Sequence, residues 1–259
     1  MDTPISPSVD KSPERIRRMF GSIAHRYDII NNVLTLGIDR SWRKRTARHL
    51  IHDRTIDGDV LDVCCGTGEL TLAFVKQQQK RTTERTIYGI DFTPEMVDVA
   101  QRKAKRCSLP PGGQQPTLQF SVGDALSLPF ENDRFAVVAV AFGLRNLCDA
   151  RQGLVEMVRV CKPGGTVAVL DFSMPTLPIV RQCYRFYFRT LLPRLGQWFA
   201  KNPDRAYSYL PESVLQFDQP EQLAERLTQF GVVNVQMKPM TFGIATLVWG
   251  EKLKTTEWR

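Results

Sequence analysis

The chain has 259 residues, 42% of them hydrophobic, enough to bury a full core as one α/β domain with additions. No apolar run approaches the roughly 20 residues that a membrane helix needs, and the N-terminus, with Pro4, Pro7 and Asp10, lacks a signal-peptide core, so a cytoplasmic protein is expected. The net charge of +8 suits an anionic partner, either nucleic acid or phospholipid headgroups, and six cysteines without metal-ligand spacing read as reduced apolar fillers with no metal site.

Residues 1–11 read as a disordered tail. Ser12 and Pro13 supply a cap and first turn for a helix through Phe20, and helical periodicity resumes over Trp42–Ile51, so that residues 12–58 form an N-terminal helical cap. A short apolar strand, Asp59–Cys64, then runs into Gly66-Thr67-Gly68, where two glycines let the chain turn sharply and approach a ligand without a Cβ in the way. A helix opens near Leu70. The next strand, Ile87–Asp91, ends on a carboxylate, after which Thr93 caps a helix begun by Pro94. Pro110-Pro111-Gly112-Gly113 is a surface loop between that helix and a strand over Thr117–Val122. Further strands over Ala136–Phe142 and Thr166–Phe172, with a helix near Gln152 between them, predict a doubly wound, mostly parallel α/β sheet.

Residues 174–217 form an insertion in this pattern. Tyr184, Phe188, Leu191, Leu195 and Trp198 recur at helical spacing beside a basic row, Arg181, Arg185 and Arg189, with a break at Pro193. An amphipathic lid over the sheet accounts for this, and arginines beside aromatics also suit a headgroup interface. A helix over Pro220–Phe230 and a hairpin-like pair of strands, Val233–Pro239 and Ile244–Trp249, close the chain.

The glycine turn and the acid after it point to a nucleoside. Gly68 is followed by Glu69 and Leu70 rather than the Lys-Ser/Thr of a phosphate-binding loop, and an acid at a helix start repels a pyrophosphate. A cofactor without phosphates fits better, and S-adenosylmethionine is one: its ammonium suits Asp62 or Glu69, and its ribose diol suits Asp91.

Several blocks are more specific. Tyr27-Asp28-Ile29-Ile30-Asn31 followed by Gly37-Ile38-Asp39-Arg40-Ser41-Trp42, then Phe142-Gly143-Leu144-Arg145-Asn146 and Tyr207–Ser213, resemble the UbiE/MenG quinone C-methyltransferases, from about Met19 to Lys252, while Lys162-Pro163-Gly164-Gly165 before a strand resembles class I methyltransferases in general. The resemblance implies a class I S-adenosylmethionine-dependent methyltransferase acting on a polyprenyl hydroquinone in menaquinone or ubiquinone biosynthesis, with Thr67 and Asp91 binding the cofactor and Asp124 and Ala125 flanking its adenine. Three positions depart from the family pattern: Asp39 where His is common, Glu69 where Asp is, and Ala141 where Ser is.

Candidate catalytic residues are Arg145, to stabilise a phenolate or orient a water, Asn146, to hydrogen-bond a hydroxyl, and Tyr27, to touch the ring. Arg145 could equally be a structural ion pair, Asn146 a turn former and Tyr27 a packing residue. Gly66, Thr67 and Gly68, with Asp62, Asp91, Asp124 and Ala125, make up the cofactor set. Demethylmenaquinol is the leading acceptor, with a benzoquinol next; an RNA methyltransferase and a non-enzymatic quinone scaffold are the other classes. An amino-methylating enzyme would carry an Asn/Asp-Pro-Pro-aromatic turn after the fourth strand, where this chain has Phe142–Asn146, so nucleic acid is not expected as a partner. Peripheral contact with an anionic membrane surface and a homodimer are compatible with the sequence.

Overall fold

The computed structural model describes residues 10–52, 57–78, 85–107, 117–175, 177–186, 190, 209, 213–214 and 216–254. The expected tail through residue 9, the Pro110–Gly113 loop and most of the 174–217 insertion, including Phe188, Arg189, Leu191, Pro193, Leu195, Trp198 and Tyr207, lie outside these residues.

Three helices come first: α1 (Pro13–Ile23), α2 (Tyr27–Leu34) and α3 (Ile38–His52). Helix α2 was not legible in the sequence, because Ile, Asn and Val are weak helix formers. Strand β1 (Val60–Val63), helix α4 (Glu69–Gln78), β2 (Thr86–Asp91), α5 (Pro94–Arg106), β3 (Thr117–Val122) and β4 (Phe135–Ala141) follow. Then come α6 (Ala150–Val160), β5 (Cys161–Phe172), α7 (Pro178–Phe186), α8 (Pro220–Gln229), β6 (Val232–Met240) and β7 (Ala245–Lys252). The side chain of Thr93 makes no cap hydrogen bond to α5; Asp91 Oδ1 instead accepts the Thr93 N–H at 2.9 Å.

The strands form one sheet in the order β3-β2-β1-β4-β5-β7-β6, parallel except for β7, which runs antiparallel to both its neighbours. The last two strands do pair, joined by a 3-10 turn at Thr241–Gly243, but β7 lies inside the sheet and β6 at its edge. Strand β5 begins at Cys161, five residues before the expected Thr166, because the Lys162–Gly165 segment stays extended.

Alternation along the strands divides the core. Leu61 and Val63 face a layer with Leu154 and Met157 of α6 and Leu227 of α8, whereas Val60 packs with Leu50 of α3 and Phe74 of α4. Asp62 shares the face of Val60 and so points under α4. His49 of α3 packs edge-on against Trp249 at 4.5 Å between ring centroids.

The strand order reverses between β1 and β4, where ligands of open α/β sheets bind. Both strands leave that point in the left-handed region, Cys64 with φ 53° and Phe142 with φ 62°, which side chains other than glycine's adopt at a cost. Between them Gly143 fits only because it lacks a side chain: an added Cβ would lie 2.4 Å from Cys64 Cβ. Gly143→Ala should therefore destabilise the fold by about 1–3 kcal/mol in denaturant unfolding, and Cys64→Gly in the same chain should restore most of the loss. Simple additivity of the two changes would show that this contact does not hold the strand ends together.

Candidate active site

A cleft opens over the carboxyl ends of β1, β2 and β4 and is walled on its outer side by α1 and α2; its empty volume, counted out to open solvent, is about 1040 Å³.

Asp91 organises the inner end. Its half-buried carboxylate accepts the Gly66 N–H on Oδ2 at 2.8 Å and the Thr93 N–H on Oδ1 at 2.9 Å, fixing the turn after β1 to the start of α5. Burial pushes its pKa up, and the two N–H donors oppose that shift. Gly66 has φ 54° and nothing within 4 Å of where a Cβ would stand, so bare backbone faces the cleft there. Gly68 works differently. A Cβ on it would meet the Phe120 ring at 3.0 Å and Ala100 at 3.1 Å; it serves packing behind the turn and does not line the cleft.

Asp62, 1% exposed, accepts the Thr71 hydroxyl at 2.5 Å, and burial pushes its pKa up to about 7. Thr67 donates its hydroxyl to Asp28 Oδ1 at 2.5 Å. Lys103 of α5 pairs with Asp28 at 2.8 Å and also with Glu69, so one ammonium joins α2, α4 and α5 around the glycine turn. Asp124 accepts the Leu126 N–H at 2.9 Å in a tight turn, which sets Asp124 and Ala125 along the cleft wall.

The outer end is apolar, with Pro13, Ile16 and Phe20 of α1 facing Leu126 and Leu147 across the opening. Tyr27 lines the cleft and packs edge-on against Phe20 at 6.0 Å. Asn146 is oriented at both ends of its amide, donating to the Phe142 carbonyl at 3.3 Å and accepting the Tyr209 hydroxyl at 3.1 Å. Burial raises the Tyr209 phenol to about 12, which keeps it a donor.

Arg145 is not part of the lining. Its guanidinium lies behind the wall, 4% exposed, donating to Asp171 Oδ1 and to the Phe142 carbonyl, each at 2.7 Å. This is the ion-pair arrangement that the sequence left open, and it fixes the turn bearing Asn146.

Three cations escaped the sequence reading. Lys11, half-buried, lines the cleft, and burial together with the nearby Arg145 charge holds its pKa below the ordinary lysine value. Arg43 also lines it, pairing with Asp39 and lying 4.9 Å from the Phe142 ring centroid. Asp39, which accepts the Thr35 hydroxyl at 2.7 Å, is thus an anchor for Arg43. The i,i+4 spacing of Asp39 and Arg43 was a legible signal; that of Lys11 and Lys103 was not, since both act across elements distant in sequence.

Asp62, Glu69, Asp91 and Asp124 together make the inner end acidic, which suits a cationic nucleoside and repels phosphate. S-adenosylmethionine meets that donor set, with bare backbone at Gly66 for close approach and a buried carboxylate at Asp62 for an ammonium. Among the described residues no cluster of His, Cys, Asp and Glu could hold a metal ion, and no helix is long and apolar enough to cross a membrane.

Comparison with known proteins agrees with this geometry. A demethylmenaquinone methyltransferase of Deinococcus radiodurans is 41% identical over 96% of this chain and 97% of its own length. A ubiquinone/menaquinone biosynthesis C-methyltransferase of a Geobacter species is 39% identical over 95% and 99%. Among solved structures, a putative S-adenosylmethionine-dependent methyltransferase of Methanococcus maripaludis superposes with a TM-score of 0.58 at 15% identity, covering 98% of this chain and 99% of its own. One from Aquifex aeolicus gives 0.52 at 18%, covering 75% and 82%. The sequence profile of the ubiE/COQ5 methyltransferase family matches residues 8–252, and the chain belongs to that family of S-adenosylmethionine-dependent methyltransferases.

Proposed function

We propose that this methyltransferase acts on a ring carbon of a polyprenylated hydroquinone, with demethylmenaquinol as first acceptor and a benzoquinol as the alternative. The observation behind this reading is the two-ended cleft, in which an acidic, phosphate-free end meets an apolar arm at Lys11, Asn146 and Tyr209. The names of the Deinococcus and Geobacter relatives point the same way.

Asp91 spends one lone pair per oxygen on backbone N–H groups and retains others for a ribose diol. Asp62 takes the ammonium, the Gly66 and Thr67 backbone the rest of the amino-acid portion, and Asp124 with Ala125 the base. When bound, the sulfonium supplies a methyl group to the ring carbon and leaves as a thioether, and that carbon then gives up its proton. The chain must make the ring nucleophilic. A free phenol ionises near 10, so a neutral ring is a poor carbon nucleophile at neutral pH. Lys11 lowers that value by facing the phenolate with a charge, while Asn146, held by Tyr209 and the Phe142 carbonyl, keeps an amide N–H for a ring oxygen. Tyr27 and Phe20 hold the ring flat in the opening. Arg145 acts as a positioning residue through the Asn146 turn.

Incubation with methyl-labelled cofactor and reduced naphthoquinol and benzoquinol acceptors side by side tests the reading. Label on a quinol supports it and identifies the ring; no label on either, with the cofactor bound, overturns it and returns the RNA and scaffold readings to consideration.

The residue roles have separate readouts. A cation selects ionised Asp62, so cofactor affinity measured by calorimetry should climb with pH up to about 7, by at most about ten-fold per unit, and level off above. Asp62→Asn should remove that slope; an unchanged slope would assign the titration elsewhere. Lys11→Met should move the rising limb of the acceptor kcat/KM profile upward by about one pH unit and leave cofactor affinity unchanged. Arg145→Ala should keep cofactor binding and lower turnover at least ten-fold, and full activity in that variant would refute its role.

A further inference from the structure

The three N-terminal helices leave an apolar edge uncovered. Around the α2–α3 turn, Ile29 of α2 is 66% exposed, Leu36 at the tip of the turn 86%, and Ile38, also exposed, starts α3, with half-buried Val33 between them. Single exposed apolar residues are ordinary, but three within ten residues are not. The edge is also rigid. Gly37 N donates to Asn32 O at 2.8 Å, and Thr35 donates from its backbone to Asn31 O at 2.8 Å and from its hydroxyl to Asp39 at 2.7 Å, which holds the α2–α3 turn with Leu36 at its tip.

Charge surrounds this edge with one sign. Arg26 precedes it, Arg40 and Lys44 follow it, all three are exposed, and no ion pair holds them among the described residues. Residues 10–52 contain ten Lys or Arg against four Asp or Glu, a net +6 within the chain's +8. The two acids nearest the edge are already engaged, Asp28 by Lys103 and Asp39 by Arg43. The edge also continues the cleft, since α2 begins at Tyr27, which lines it beside Phe20 and Ile16 of α1.

We propose that this edge, Ile29, Val33, Leu36 and Ile38 with Arg26, Arg40 and Lys44, is a docking surface for an anionic lipid leaflet. The exposed apolar side chains around the turn enter the headgroup boundary and the basic side chains meet lipid phosphates, the combination that holds interfacial segments on anionic membranes. The apolar outer wall of the cleft then faces the leaflet directly. A second protein or nucleic acid fits less well: nucleic acid needs the charge but not the exposed apolar side chains, and a hydrophobic protein interface does not call for a one-sign collar. The inference extends the proposed lipid acceptor, although its evidence is independent of it.

Flotation of the full chain with quinol-free vesicles tests it. The protein should float with vesicles of 70% phosphatidylcholine and 30% phosphatidylglycerol, far less with pure phosphatidylcholine, and far less in 0.5 M salt. Leu36→Asp should weaken vesicle binding about ten-fold or more; Leu36 already has φ 52°, a conformation that Asp tolerates, so the variant should fold, which cofactor affinity checks. Arg40→Glu should weaken binding to anionic vesicles and leave any residual binding to neutral ones unchanged. Methylation of a short-tailed, soluble quinol should match the parent in both variants. Unchanged flotation of Leu36→Asp, or no flotation of the parent combined with self-association that Leu36→Asp abolishes, would overturn the proposal, the latter in favour of a dimer. Failure of the parent to methylate any quinol would overturn the substrate reading and leave the vesicle result standing.

Discussion

One half-buried carboxylate governs the arrangement of this cleft. Asp91 ends β2 and binds the backbone of two other segments, the glycine turn after β1 and the first turn of α5. A carboxylate in the interior is stable only when hydrogen bonds replace its lost water, and here the backbone N–H groups that replace it are the ones that must be held for a ligand to find the turn in place. The acid therefore shapes the site before any ligand arrives. Asp62, one strand over, is bonded by Thr71, and burial pushes its pKa up to about 7. Burial raises both carboxyls, and in each the hydrogen bonds from neighbouring residues oppose the shift.

A second constraint lies at the strand ends. Cys64 and Phe142 both turn into the left-handed region on either side of the reversal point, with Gly143 wedged between them. The strained Phe142 leaves its carbonyl free to collect donors from Arg145 and Asn146, which ties the wall of the cleft to a buried ion pair. Asn146 faces the cavity because Arg145 does not.

The order of strands and helices from β1 to α6 was legible, since apolar runs of four to seven residues bounded by Gly, Pro and Asp have few other readings. So were Asp62, Gly66, Thr67, Asp91, Asp124 and Ala125, all of which reach the cleft, because the glycine turn and the acid after β2 are local patterns. The inward placement of β7 was not legible, since pairing of two strands says nothing about which of them contacts β5. Helix α2 escaped because its side chains disfavour helix and its stability comes from contacts such as Asp28 with Lys103, 75 residues away. Gly68, read with the cofactor turn, and Arg145, read as a catalytic candidate or a structural ion pair, do not line the cleft, Gly68 packing by Phe120 and Arg145 pairing with Asp171, a distinction that depends on which way a residue faces.

The position of β7 has a consequence for biosynthesis. The last strand of the chain, Ala245–Lys252, completes the hydrogen bonding of β5 on one side and β6 on the other. While the chain leaves the ribosome, β5 therefore has an open edge from about residue 172 until Ala245–Lys252 has emerged, and Val167, Val169 and Leu170 belong to that edge strand. An unpaired apolar edge invites wrong partners for as long as it lasts. Nascent chains should thus depend on chaperones until β7 has emerged, and loss of β7 should detach β6 from β5 and leave the sheet split rather than merely shortened.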